Sequence, residues 1–140
     1  MSSLQNDAPR PTESSCVLDA SAVLALVNRE PGADRVQRAV AEGASVSAVN
    51  FVEVISKLID ADVSAEQAAI LIEPLELAIV DFTTAQARRA GHLRRETRAF
   101  GLSLADRACL ALAGELDLPA VTADRVWSQL DIGVRIEVFR

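Results

Sequence analysis

From residue 16 onward, short apolar runs alternate with longer stretches of helical periodicity. Cys16-Val17-Leu18 reads as a buried strand ending at Asp19, and residues 44–47, 78–82, 120–122 and 134–138 read as further strands. Between them the pattern predicts helices over 21–28, 33–42, 50–61, 64–75, 84–99 and 103–116, and a short one over 125–129. Val52, Ile55 and Ile59 show the helical spacing in the third of these. Pro31-Gly32, Gly43, Gly101 and Leu118-Pro119 supply the breaks, and Ser64 with Gln67 and Ser103 with Asp106 suit capping boxes. This βα rhythm argues for a parallel sheet with helices on both faces. Residues 1–14 are polar and contain Pro9 and Pro11, so they are expected to form a disordered tail before one domain over 15–140.

The chain has 140 residues, of which 50% are hydrophobic and 24% charged, which suits one globular domain. It has no run of 18 apolar residues and no basic start followed by an apolar stretch, so neither a membrane span nor a secretory signal is expected. Two cysteines are too few for a disulfide scaffold, and Cys16 and Cys109 both lie among apolar residues that suggest packed thiols. A cytoplasmic location is the expectation.

Charge narrows the functional classes. Fourteen basic residues against 20 acidic ones leave a net charge of −6, the wrong sign for a general phosphate-backbone binder. Lys57 is the only lysine and is placed mid-helix, which excludes a P-loop lysine or Schiff-base chemistry elsewhere in the chain. The dense basic stretch is Arg88, Arg89, Arg94, Arg95 and Arg98, where Arg88 and Arg95 share a helical face with His92. Such a run is usually a solvated face; the competing reading is a phosphate contact.

Four acids stand out by position. Asp19 and Asp124 follow strand ends, where side chains of an open parallel sheet line the binding crevice. Glu53 and Asp106 interrupt apolar helical runs. Each also has a plain structural role: the strand-end pair suits helix N-caps, Glu53 an exposed face, and Asp106 the capping box of Ser103. Converged on one crevice, each pair 5–6 Å apart would cost about 3 kcal/mol at an effective dielectric of 20. With no lysine expected nearby, a divalent cation would supply the missing charge. All-oxygen donors select Mg²⁺ or Mn²⁺ over zinc, and the single histidine, His92, has no cysteine beside it.

The blocks Val17-Leu18-Asp19-Ala20-Ser21-Ala22, Ser47 to Glu53, Gly101-Leu102-Ser103-Leu104-Ala105-Asp106-Arg107-Ala108-Cys109-Leu110-Ala111-Leu112-Ala113 and Val121-Thr122-Ala123-Asp124-Arg125-Val126-Trp127 together resemble PIN-domain nucleases. In particular they resemble VapC-type toxins of bacterial toxin–antitoxin pairs. It implies a three-layer α/β/α sandwich around a central, mostly parallel sheet of four to five short strands. Asp19, Glu53, Asp106 and Asp124 match the family's acidic quartet, with Ser21 and Thr122 as supporting hydroxyls. The family binds Mg²⁺ or Mn²⁺ there and cuts RNA endonucleolytically, leaving a 5′-phosphate and a 3′-hydroxyl. Asp19 and Asp106 are the expected main ligands. Val126 stands where some members carry a further acid, and Phe100 where a tyrosine is frequent, a difference expected to concern packing. The resemblance also implies a VapB-type antitoxin partner and a homodimer, for which Ile70 and Leu71 are exposed candidates.

Beyond the quartet, Arg88, Arg95, Arg107 and Arg125 are candidates for contacting RNA; the last two adjoin site acids and could pair with them instead. Trp127 fits packing better than base stacking. A receiver domain would need an acid beside Asp19, and a dehalogenase-type phosphatase would need one where Ser21 stands. The remaining alternative is a non-catalytic acidic module whose crevice takes a basic segment of a partner protein.

Overall fold

The computed structural model describes residues 9–140. Of the tail expected over 1–14, residues 1–8 lie outside that part. The rest is tied down: Pro11–Glu13 forms a 3₁₀ turn, Ser15 N donates to Gly43 O, and the Ser14 and Ser45 hydroxyls share a 2.7 Å hydrogen bond.

Five strands follow, β1 (Cys16–Leu18), β2 (Ala44–Ser47), β3 (Ala78–Val80), β4 (Ala120–Thr122) and β5 (Ile136–Val138). They form one sheet in the order β3-β2-β1-β4-β5, parallel throughout. Seven α-helices are found among the described residues: α1 (Ala20–Asn28), α2 (Ala33–Ala41), α3 (Ala48–Asp60), α4 (Ala65–Ile72), α5 (Thr84–His92), α6 (Arg94–Thr97) and α7 (Leu104–Leu116). None is long and apolar enough to cross a membrane.

The short apolar strands are explained by burial on both faces. Side chains alternate across a strand, so Cys16 and Leu18 enter one core while Val17 enters the other. The first core lies under α1 to α4 and contains Val23, Val36, Val54, Leu58 and Ile72. The second lies under α7, with Leu110, Leu112 and a completely buried Trp127. Helices therefore cover both faces, and the result is the expected three-layer α/β/α sandwich.

Chain order decides where the crevice opens. The chain lays down β1, β2 and β3 in one direction, then crosses through α5 to α7 and adds β4 on the other side of β1. Strand order thus reverses between β1 and β4, the place where the carboxyl ends of an open sheet leave a binding crevice.

The long helix expected over 84–99 is not continuous. It ends at His92, resumes as α6, and finishes as a 3₁₀ turn over Arg98–Phe100. The Thr97 hydroxyl donates to Leu93 O, a back-bond that bends helices, and both residues are buried. The helix expected over 64–75 likewise gives way to a 3₁₀ turn at Glu73–Leu75, where Pro74 has no amide to donate. Residues Arg125–Gln129 are also 3₁₀ rather than α.

Candidate metal centre

Asp19 leaves the end of β1 and caps α1: its Oδ1 accepts from Ala22 N at 2.9 Å and from Ser21 Oγ at 2.6 Å. Its Oδ2 accepts from Thr122 Oγ1 at 2.5 Å. Both hydroxyls are also acceptors. Ser21 Oγ takes Ala123 N at 3.0 Å, and Thr122 Oγ1 takes Asp124 N at 3.0 Å. Two hydroxyls therefore bind the end of β1 to the loop after β4, with Asp19 between them. Asp19 is only 5% exposed. Burial pushes its carboxyl above the usual range against these three hydrogen bonds, and the negative charge of Asp106 adds to the rise.

Glu53 and Asp106 are set by contacts at the starts of two helices. Ser47 caps α3, so Glu53 lies in its second turn. Asp106 is the third residue of α7 and completes a reciprocal capping box: Ser103 N donates to its Oδ2, and Asp106 N donates to Ser103 Oγ. Asn50, fully buried, joins the two helices. Its Nδ2 donates to Glu53 Oε1 at 3.2 Å and to Ala105 O at 3.0 Å. The sequence reading passed over Asn50; an amide at the start of an otherwise apolar helix was its one signal. Its Oδ1 is buried without a partner, which is uncommon in folded proteins. Asp124 caps the last 3₁₀ turn through Oδ1, which accepts from Val126 N at 3.0 Å.

All four acids line one cleft of about 280 Å³. The expected cap roles and the shared crevice therefore occur together. Capping uses one oxygen of each of Asp106 and Asp124, and Asn50 uses one of Glu53. The second oxygen of each makes no hydrogen bond with the described residues, while Asp19 is the fully engaged member. Cys109 lies beneath them. Burial raises its thiol well above its ordinary value, followed by the charges of Asp19, Asp106 and Glu53.

One expectation needs correction. Lys57 is not remote from the acids: it lines the same cleft, one helical turn after Glu53 on α3. Mid-helix placement concealed this, because residues four apart share a face. The cleft thus has one ammonium among four carboxylates. Among the described residues, no three acidic, histidine or cysteine side chains stand close enough to form a ready metal cluster. Hard oxygen donors with free lone pairs in an open cleft fit a hydrated divalent cation better than a directly caged one, since Mg²⁺ usually keeps several waters.

The arginine candidates separate. Arg107 is 8% exposed and donates to Ala90 O at 2.9 Å, which ties α7 to α5. Its backbone position on the packed side of α7 decides this. Arg125 is exposed and donates to Arg140 O. Arg88 and Arg95 are exposed, as is His92. Cys16 and Cys109 are buried free thiols, and burial pushes Cys16 up to about 11.

A family model described as the PIN domain matches residues 16–133. No curated protein sequence matches the chain. Among solved structures, a toxin–antitoxin complex from Klebsiella pneumoniae is similar at a TM-score of 0.70 and 21% identity, over 86% of this chain and 95% of that one. VapBC2 from Rickettsia felis, bound to a promoter DNA fragment, gives 0.68 and 18%, over 87% and 96%. VapC20 from Mycobacterium tuberculosis, a sarcin-ricin loop cleaving toxin, gives 0.68 and 18%, over 86% and 99%. At such identities the structural likeness is one of fold. Matched over most of its length by the family model, and with the four acids of its motif blocks gathered in one cleft, the chain belongs to the PIN domain family.

Proposed function

We propose that the chain is a metal-dependent endoribonuclease and the toxin of a toxin–antitoxin pair. The observation that carries this reading is the cleft itself: four carboxylates line it at the strand-order reversal, and three of them keep an oxygen free of hydrogen bonds from the described residues. Glu53, Asp106 and Asp124 would hold Mg²⁺ or Mn²⁺ through those oxygens and through waters, with Asp19 adding buried negative charge. When bound, the cation supplies Lewis acidity, drawing charge from the phosphoryl oxygens and making water a better nucleophile at neutral pH. Ser21 and Thr122 hold Asp19 in place by donating to it. Asn50 sets Glu53 against the first turn of α7.

The toxin role is supported by neighbours of the same fold, which include toxin–antitoxin complexes and a toxin that cleaves the sarcin-ricin loop. The partner is then a VapB-type antitoxin, and the substrate is RNA. The test is cleavage of a mixed RNA pool by the purified chain with Mg²⁺, Mn²⁺ or EDTA, beside Asp19→Asn. Metal-dependent cuts ending in 5′-phosphate and 3′-hydroxyl, absent from the variant, are expected. Cyclic 2′,3′-phosphate ends, or equal cutting in EDTA, would overturn the reading.

A further inference from the structure

We infer that a single strand of RNA crosses the elbow between α5 and α7 on its way to the carboxylate cleft, its phosphates on Arg94, Arg95 and Arg98 and one base against Phe100. This rests on the proposed nuclease reading and adds the path of its substrate. The elbow contains a groove of about 470 Å³ formed by Gly91, His92, Arg94, Arg95, Glu96 and Arg98. The interruption of the helix at Leu93 adjoins it. Leu93 and Thr97 turn into the core, which leaves the three arginines outside. Ion pairs among the described residues are Arg10 with Glu13, Arg38 with Asp34, and Arg140 with Glu30, so all three groove arginines are unpaired.

The groove lies at the correct end of the molecule. The bond from Arg107 to Ala90 O ties the end of α5 to the first turn of α7, where Asp106 lines the cleft. Arg94 follows Ala90 by four residues in the chain. Phe100 ends the 3₁₀ turn that leads from the groove to the cap of α7. It is 37% exposed, unlike the buried Trp127.

The chemistry selects the ligand. A chain of net charge −6 with an acidic cleft repels nucleic acid unless a local basic surface overcomes its field. Unpaired arginines beside an exposed aromatic ring suit a single strand, whose bases are free to stack. A paired helix would hide those bases.

The test is the binding of a fluorescently labelled single-stranded RNA oligonucleotide to the full chain in EDTA, measured by anisotropy against salt. Each lost phosphate contact lowers the slope of log K against log salt by roughly 0.7, so Arg94→Gln, Arg95→Gln and Arg98→Gln together should lower it by about 2. Phe100→Ala should weaken binding by about fivefold or more with the slope unchanged. The triple variant Arg29→Gln, Arg35→Gln and Arg38→Gln removes equal charge from exposed positions elsewhere and should leave the slope intact. A wild type that does not bind, an unchanged slope in the groove variant, or an equal loss in the distant one would each overturn the inference. Binding in EDTA needs no turnover. Groove variants that bind normally while Asp19→Asn stops cleavage would refute the path and leave the nuclease standing; the reverse pattern would refute the nuclease alone.

Discussion

Thr122 donates to Asp19 across 103 residues of chain, and the same hydroxyl accepts the amide of Asp124. One side chain thus fixes two acids of the cleft. Thr122→Val keeps the shape and removes both bonds. The buried groups left unpaired should cost about 1–3 kcal/mol, and cleavage should fall with them. Thr122→Ser restores the hydroxyl but loses a buried methyl, worth about 1 kcal/mol. Denaturant melts and cleavage rates on both variants separate the two effects: the serine variant should cut like wild type despite its lower stability.

Asp19 and Asp106 each serve a cap and the cleft, so their variants report on both. Asparagine retains an oxygen for the cap while removing a charge. Without added metal, Asp106→Asn should therefore melt at or above the wild-type temperature, whereas Asp19→Asn also replaces an oxygen that accepts a buried hydrogen bond and should melt lower. Added Mg²⁺ or Mn²⁺ should raise the Tm of the wild type more than that of either variant, because ligands stabilise only the state that binds them. A fall of many degrees for Asp106→Asn in metal-free buffer would make that acid a structural cap alone.

Lys57 is the cleft's own cation. Lys57→Gln should lower the Mg²⁺ concentration needed for half of the thermal shift by roughly threefold to tenfold, since a partly solvated charge near the ion repels it by about 1 kcal/mol. Melting curves titrated with Mg²⁺ check this. A weaker metal response in the variant would mean that the ammonium supports the site in some other way.

Glu30 and Arg140 join the α1–α2 turn to the last residue of the chain at 2.8 Å. The hydrogen bond from Arg140 holds the Glu30 carboxyl below its ordinary range, against a smaller upward push from burial. The folded value lies below the unfolded one, so the pair stabilises above the unfolded value and loses that contribution as pH falls through the folded one. Arg140→Ala should cost at most about 1 kcal/mol at neutral pH, given the pair's partial exposure. Comparing melts of variant and wild type from neutral pH into the acid range should show the difference vanish at the acid end.

The strands, most helices and the capping boxes were legible in the chain because they rest on local rules: apolar runs, helical spacing, Ser64 with Gln67, and Ser103 with Asp106. The four acids were legible from strand ends and from charge placed in apolar runs. Local pattern could not show which side of a helix faces which neighbour. For that reason the sequence leaves Arg107 open between substrate and a neighbouring acid, whereas in the fold it donates to Ala90 O on α5, and Lys57 lines the cleft. The helix over 84–99 looked continuous because its break comes from Leu93 and Thr97 turning into a core built by distant residues. Asn50 escaped notice because its value lies in a contact 55 residues away. The sequence by itself determined the alternation of elements and the residues able to carry the chemistry. Tertiary structure alone decided which charges share the cleft, because that depends on the strand-order reversal and on helix faces chosen by packing.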